Sequence, residues 1–289
     1  MLLTFVGVAP IFVSHTPGDA CRRAGPPPLL LLPRPLSLPG VALIARALAP
    51  LPDVRPGDDL AALLAEAAPA DLSDGDVVVV AHKVVSKAEG RVRALAEIEA
   101  GERAHALAAE HGKDPRLVQA VLDEAVEVVR ARDGVLVCET QHGFVCANAG
   151  VDQSNASRPG ELVLLPDDPD ASARRLRAGL AAGRGCRPAV VVTDSFGRAW
   201  RLGQTDVAIG AAGLVPLDQW IGRPDAYGRE LRATSIGIAD AVAGAADLAR
   251  TKVSREPAVL IRGLERYVTA EDGPGAAALR RPREQDLFR

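Results

Sequence analysis

Aromatic side chains are scarce in this chain of 289 residues: they make up 3% of it, and there is a single Met. Its core must therefore be assembled from Val, Leu, Ile and Ala. Excess basic charge is missing too. The net charge of -3 provides no electrostatic footprint for nucleic acid, so an anionic ligand would have to be met by local Lys and Arg. The four cysteines, Cys21, Cys138, Cys146 and Cys186, have spacings that fit neither a zinc site nor a dense disulfide framework. Free thiols in a reducing, cytoplasmic setting are expected. No apolar run reaches the ~20 residues needed to span a bilayer. The common nucleotide signatures are absent as well. There is no G-x-x-x-x-G-K-[ST], hence no P-loop. The glycines of "GQTDVAIGAAG" lack the strand–GxGxxG–helix order of a Rossmann unit, and "DSFG" stands without the rest of the kinase set.

What is present is an ordinary globular composition, 48% hydrophobic and 25% charged, in a chain long enough for one large domain or two small ones. The first 40 residues stand apart. "LTFVGVAPIFV" is apolar but has no preceding positive charge and is short for a membrane span. "PGDACRRAGPPPLLLLPRPLSLPG" is too rich in proline for a regular helix. Residues 1–40 read as a disordered extension outside the fold, the alternative being a secretion signal. From Val41 onward the patterns alternate. "VALIARAL" reads as a strand. A helix capped by Asp58 or Asp59 follows, with Leu60, Leu63 and Leu64 on one face. Val77 to Val80 is a continuous β-branched run, the mark of a strand buried on both faces. "LAEIEAGERAHALAAEHG" and "DPRLVQAVLDEAVEVVRA" have helical periodicity, the second opening on Asp114-Pro115. "GVLVCET" and "GFVCANAGVDQSN" suggest a hairpin-like pair. "ELVLLPDDP" is a strand, "DASARRLRAGLAAGRG" a helix closed by Gly, and "PAVVVTDS" a buried strand. "TSIGIADAVAGAADLARTK" begins strand-like and becomes a helix. "EPAVLIRGLERY" is the last strand, and 269–289 reads as an irregular tail. The mixture lacks regular βαβ alternation, so the fold class is α+β.

Three polar loops, each after a β-rich run, carry the chemistry. "AHKVVSKAEGR" sets His82, Lys83 and Lys87 past a buried strand, where ammonium groups and free backbone N–H groups suit phosphate; the bland reading is a solvated turn. "HGFVCANAGVDQSN" holds Asp152, a hard oxygen ligand for Mg²⁺ or Mn²⁺, and Asn155, able to bond a phosphate, ribose or base; the bland reading is Asx-turn chemistry. His142 and Cys146, four apart, read as core or turn residues. "VTDSFGRAWRLGQTD" puts Asp194 and Ser195 at the C-terminal end of a strand, a pattern that fits Mg²⁺ holding phosphates. Arg198 and Arg201 beyond them are candidates to clamp a carboxylate or phosphate. No Ser-His-Asp or Cys-His constellation is evident.

"LPDVRPGDDL", "VVVVAHKVVSKAEGRV", "HGFVCANAGVDQSN", "VVVTDSFGRAWRLGQTDVAIG", "DAYGREL", "IADAVAGAADL" and "PAVLIRG", in this order across roughly residues 41–268, resemble the coenzyme F-420-0 gamma-glutamyl ligase family. "LRRPREQDLFR" is similar to the segment that joins this module to a nitroreductase-like domain in longer relatives. The resemblance implies a ligase module over 41–268, a two-part intertwined α+β fold and a homodimer. It implies GTP-dependent addition of L-glutamate to coenzyme F-420-0 through an acyl phosphate, with Mg²⁺ or Mn²⁺ and a possible monovalent cation. By position, Leu51, Pro52, Asp53 and Val54 match a GTP-contacting loop. His82, Lys83 and Lys87 match a second, and Asn155 matches another GTP contact. Asp152 and Asp194 match divalent-metal ligands, with Ser195 where a Thr serves a second metal. Two departures stand out. Asp53 occupies a Glu position. "LARTKVSREP" lacks the Gly-rich pattern of the last nucleotide loop, with Lys252 where a Gln would help hold the second metal; a protonated Lys cannot ligate a cation. The alternatives are a ligase for another acid acceptor, or a GTP-binding module that partners a separate reductase.

Overall fold

A computed structural model describes residues 42–288. The proline-rich extension and Cys21 lie outside the described residues. In chain order the elements are β1 (Ile44–Ala47), α1 (Leu60–Ala67), β2 (Val77–Ala81), α2 (His82–Ala88), β3 (Val92–Ala94), α3 (Glu102–His111) and α4 (Pro115–Glu124). There follow β4 (Ala125–Arg132), β5 (Val135–Thr140), β6 (Val145–Ala147), β7 (Glu161–Val163), α5 (Pro169–Arg184), β8 (Ala189–Arg198) and β9 (Arg201–Ala212). The last are β10 (Leu217–Gln219), β11 (Ser235–Gly237), α6 (Ile238–Asp247) and β12 (Ala258–Arg262). The fold is α+β.

The main sheet has the order β1-β12-β2-β8-β9. Only β2 and β8 run parallel; the other pairs are antiparallel. Val77 to Val80 lie at its centre with no exposed surface, as an unbroken β-branched run requires when both faces are covered. One face packs Val78, Val80, Val190 and Val192 against α1 and α5. The other packs Val77, Val79, Val191, Val259 and Ile261 against α6. Burying each such side chain contributes roughly 1.5–3 kcal/mol before entropy is charged. Aliphatic residues thus make up the fully buried part of both layers, with Phe144, Phe196 and Tyr267 only partly buried against them. The chain between β2 and β8 carries a second assembly, the β4-β5-β6 sheet with α3 and α4, around Val118, Val121, Leu136, Leu162 and Leu164.

Two helical readings are corrected here. The periodic stretch from Pro115 ends at Glu124, where Ala125 turns extended and Ala125–Arg132 becomes β4. Val126, Val128 and Val129 favour the pleat, and pairing with β5 through two register shifts outweighs the helical spacing. "LAEIEAGERAHALAAEH" splits into a 3₁₀ turn at Leu95–Glu97 and α3 from Glu102; extended Gly101 stands between them as the N-cap. The expected hairpin forms as β5 and β6, and α5 ends on left-handed Gly185 as read from the sequence. Residues 269–288 have only short 3₁₀ turns. They are nonetheless tied down: the N–H groups of Ala276 and Ala277 donate to the Asp170 carboxylate at 2.7 and 3.2 Å.

A register shift separates Val192 from Thr193 opposite β9. At this bulge the Gly210 backbone lies directly against the Pro169 carbonyl at the start of α5, and a Cβ would collide with it. Gly210→Ala is expected to cost about 1–3 kcal/mol by forcing backbone apart, measured as a drop in urea midpoint. An unchanged midpoint would show that α5 shifts freely.

Candidate active site

The register of the main sheet assembles the site. In the parallel pair, Ala81 lies opposite Thr193, so the next residues, His82 and Asp194, come side by side. His82 is 1% exposed, and its Nε2 lies 3.2 Å from Asp194 Oδ1. That contact is close but is not aligned as a hydrogen bond; it is electrostatic. Asp194 also accepts from the Ser195 N–H at 2.7 Å. Burial alone would raise its carboxyl pKa. The adjacent His82 ring, the Ser195 N–H and the charge of Lys83 outweigh burial and hold the group below the usual carboxylate range.

Lys83, next in the chain, serves the other carboxylate. Its Nζ lies 2.6 Å from Asp152 Oδ2 and donates to Ser154 Oγ at 2.6 Å. Ser154 also donates to Asp152 through its N–H and its hydroxyl. Burial opposes ionisation of Asp152, but Lys83 and Ser154 prevail and its pKa is lowered. Consecutive residues at the start of α2 therefore gather two ionised carboxylates from separate parts of the chain, one in the loop after β6 and one on β8. The loop ahead of Asp152 is strained. Asn148, Ala149 and Gly150 all have left-handed backbone, with φ of 51, 51 and 74°. Two of these are not glycine, and such strain persists where surrounding structure enforces it, often at functional sites. Asn155, also left-handed at φ 55°, is exposed in the same loop.

The first loop joins through Asp53, whose Oδ1 lies 3.7 Å from Lys87 Nζ and accepts from Ser157 Oγ at 3.0 Å. Leu51 and Val54 are buried and anchor the loop, while Pro52 and Asp53 face solvent.

Ser195 is not at a strand end, contrary to the sequence reading. β8 continues to Arg198, because β9 folds back along it as an antiparallel hairpin. Along a strand, successive side chains take opposite faces, so Asp194 and Ser195 diverge. Asp194 faces α2, and Ser195 faces the loop after α6. There Ser195 Oγ donates to Asp206 Oδ1 at 2.6 Å, its register partner on β9. Asp206 is 2% exposed. It also accepts from Thr193 Oγ1 at 3.0 Å and pairs with the guanidinium of Arg250. Arg250 in turn donates to Thr193 Oγ1 at 2.9 Å and to the Pro257 carbonyl at 2.8 Å. Asp206 and Arg250 carried no assigned role in the sequence reading. They lie 13 and 57 residues away from Thr193, and only the hairpin register could have pointed to Asp206.

Arg198 and Arg201 are not brought to this cluster. They flank the hairpin turn as register partners, both exposed, and Arg198 spends one donor on the Leu202 carbonyl. At ~3.3 Å per residue, Arg198 lies about 10 Å beyond Ser195. A Ser–His–Asp line does exist, contrary to expectation: Ser86 Oγ lies 3.3 Å from His82 Nδ1, opposite Asp194. Ser86 has no exposed surface, so it cannot reach a substrate as a nucleophile. His142 Nε2 lies within 2.9–3.1 Å of the Pro166 and Asp167 carbonyls, in keeping with a turn residue. Burial pushes the Cys146 thiol up to about 12. Cys138, Cys146 and Cys186 are free thiols.

Among the described residues no three His, Cys, Asp or Glu side chains form a closed metal cage. The donor chemistry at Asp152 and Asp194 nonetheless fits a hard divalent cation. Mg²⁺ takes one or two protein carboxylates and fills its remaining positions with phosphate and water, and both carboxylates here are ionised. No helix of the described residues is long and apolar enough to cross a membrane.

The family described as F420-0:Gamma-glutamyl ligase matches residues 49–263. A Coenzyme F420:L-glutamate ligase of Methanopyrus kandleri is 47% identical over 238 residues, covering 82% of this chain and 93% of the relative. The protein of the same name from Methanothermobacter thermautotrophicus is 43% identical over 254 residues, covering 86% and 99%. That from Haloarcula marismortui is 43% identical over 247 residues, covering 83% and 93%. Every polar loop of the site falls inside the matched span, and the chain belongs to the F420-0:gamma-glutamyl ligase family.

Proposed function

We propose that this protein joins L-glutamate to coenzyme F-420-0 through an amide bond, driven by GTP. The observation that carries the reading is that α2 gathers carboxylates from separate parts of the chain, Asp194 against His82, Asp152 on Lys83 and Asp53 near Lys87, with Asp152 and Asp194 both held ionised, in a chain of this family. A free carboxylate is a poor acyl donor. Transfer of the γ-phosphoryl group of GTP to the acceptor carboxylate yields an acyl phosphate and GDP. The uncharged amine of glutamate then attacks the acyl carbon, phosphate departs with the C–O bond pair, and the amine loses a proton as the amide forms. Such transfer needs positioning and charge neutralisation more than a protein nucleophile, in keeping with the burial of Ser86.

The roles follow from placement. Asp152 and Asp194 would hold Mg²⁺ or Mn²⁺, which when bound neutralises phosphate charge. His82 fixes the Asp194 carboxylate from behind. Lys83 is engaged by Asp152 and Ser154; with Asp152 committed to an ion, its ammonium would be available to phosphate. Lys87 and the Leu51–Val54 loop form the adjoining wall for the nucleotide, with Asn155 opposite. A homodimer belongs to the same reading, supported by the bare apolar tip of the β8–β9 hairpin, where Trp200 and Leu202 are 83% and 98% exposed.

The test incubates purified protein with F-420-0, L-glutamate, GTP and Mg²⁺ or Mn²⁺ and reads product masses. Gains of whole glutamyl units, matched by GDP release and lost in Asp152→Ala, are expected. GTP binding without product would point instead to another acceptor or to a non-catalytic partner role.

A further inference from the structure

The place at Ser195 already contains a cation, supplied by the chain. Lys252 Nζ donates to Ser195 Oγ at 2.8 Å, lies 3.5 Å from Asp247 Oδ1 and 4.0 Å from Asp206 Oδ1. Three oxygens from three elements thus converge on one ammonium. Exposed lysines are ordinarily held loosely, and the Lys252 side chain is 70% exposed. Its loop, however, is pinned on both sides. Arg250, two residues earlier, is locked to buried Asp206 and to the Pro257 carbonyl. Ser254, two residues later, accepts from the Thr251 N–H and donates to the Thr251 carbonyl. Asp206 divides its labour. One oxygen faces Arg250 and Thr193, while the other accepts from Ser195 on the side of Lys252.

A second divalent ion at Ser195 does not fit this arrangement. It would need the oxygens that Lys252 engages, and an ammonium has three donors and no lone pair to offer a metal. Bringing a doubly charged ion against it would also set like charges together. We infer that Lys252 is the resident cation of the Ser195 place. The chain would then use one divalent ion per site, at Asp152 and Asp194, with a fixed ammonium standing for the second. The inference rests on the metal–nucleotide reading only for the ion at Asp194. Functionally, one positive charge at the site becomes permanent and independent of metal supply.

Counting bound Mn²⁺ by electron paramagnetic resonance, with saturating GDP, tests this without turnover. Wild type is expected to bind one Mn²⁺ per chain. Lys252→Gln supplies a neutral amide oxygen of similar reach beside Ser195, Asp206 and Asp247, and is expected to bind two. Lys252→Arg keeps the charge and should stay at one. Thermal unfolding of each variant confirms that the counts come from folded protein. Two ions in wild type, or a count in Lys252→Gln that stays at one, would overturn the inference. Asp194→Ala distinguishes the two readings: if it keeps the full wild-type count, the ion at Asp194 is wrong, and the proposed function weakens whatever Lys252 does.

Discussion

Asp194→Asn is expected to lower the rate of ligation by about 10³-fold while leaving the protein folded. A bound divalent ion supplies several kcal/mol of charge stabilisation, and each ~1.4 kcal/mol is a factor of ten in rate. The amide keeps the shape of the carboxylate but removes the charge that holds the ion. Steady-state kcat/KM with saturating GTP and Mn²⁺ checks it; a loss of less than tenfold would show that Asp194 does not anchor the ion. The substitution also carries a pH signature. Burial opposes ionisation of Asp194, yet His82, the Ser195 N–H and Lys83 depress its pKa in the folded state. A depressed pKa means stability that is fully present above the unfolded carboxylate value and lost as pH falls through the folded one. Asp194→Asn should therefore lower stability across the neutral and alkaline range, where the ionised carboxylate contributes, and flatten the acid arm of the profile, where wild type has already lost that contribution.

The largest loss of stability is expected at Asp206, which the sequence reading left without a role. Asp206→Ala strands the Arg250 guanidinium, whose side chain is 9% exposed, without its carboxylate. Removing one partner of a buried ion pair costs about 3–5 kcal/mol, because an uncompensated charge stays in a poorly solvated place. For a chain of this size that is on the order of 10 °C in melting temperature. The double variant Asp206→Ala/Arg250→Met removes both charges and should recover most of the loss. Calorimetry of the three proteins decides. Equal melting temperatures for Asp206→Ala and the double variant would show that the pair is not what holds the loop after α6. The same substitution deprives Ser195 of its acceptor and loosens the oxygens around Lys252, so it couples stability to the site.

The legible parts of the site were those encoded locally. His82, Lys83 and Lys87 follow a run of four valines that can only be a buried strand, so their place at its end could be read directly. Asp152 and Asp194 stood out because carboxylates at the ends of β-rich runs are uncommon without a use. The C-terminal end of α5 was marked by Gly185, a local signal. Where local signals conflict, partners decide. Residues 115–132 carry helical spacing throughout, yet the second half pairs with β5, since three β-branched valines gain more from a sheet than from another two turns of helix.

By itself, the sequence determined an aliphatic α+β fold without a P-loop or Rossmann unit, the identity of the polar loops, and a family likeness strong enough to name the chemistry. The tertiary structure alone decided which of those residues meet. It put Asp194 and Ser195 on opposite faces of one strand, carried Arg198 and Arg201 away along a hairpin, and brought Asp206, Arg250 and Lys252 together beneath Ser195. The physical reason is that a strand's length and register are set by hydrogen bonding to a neighbour distant in sequence. One residue of register decides which face, and which partners, every side chain receives.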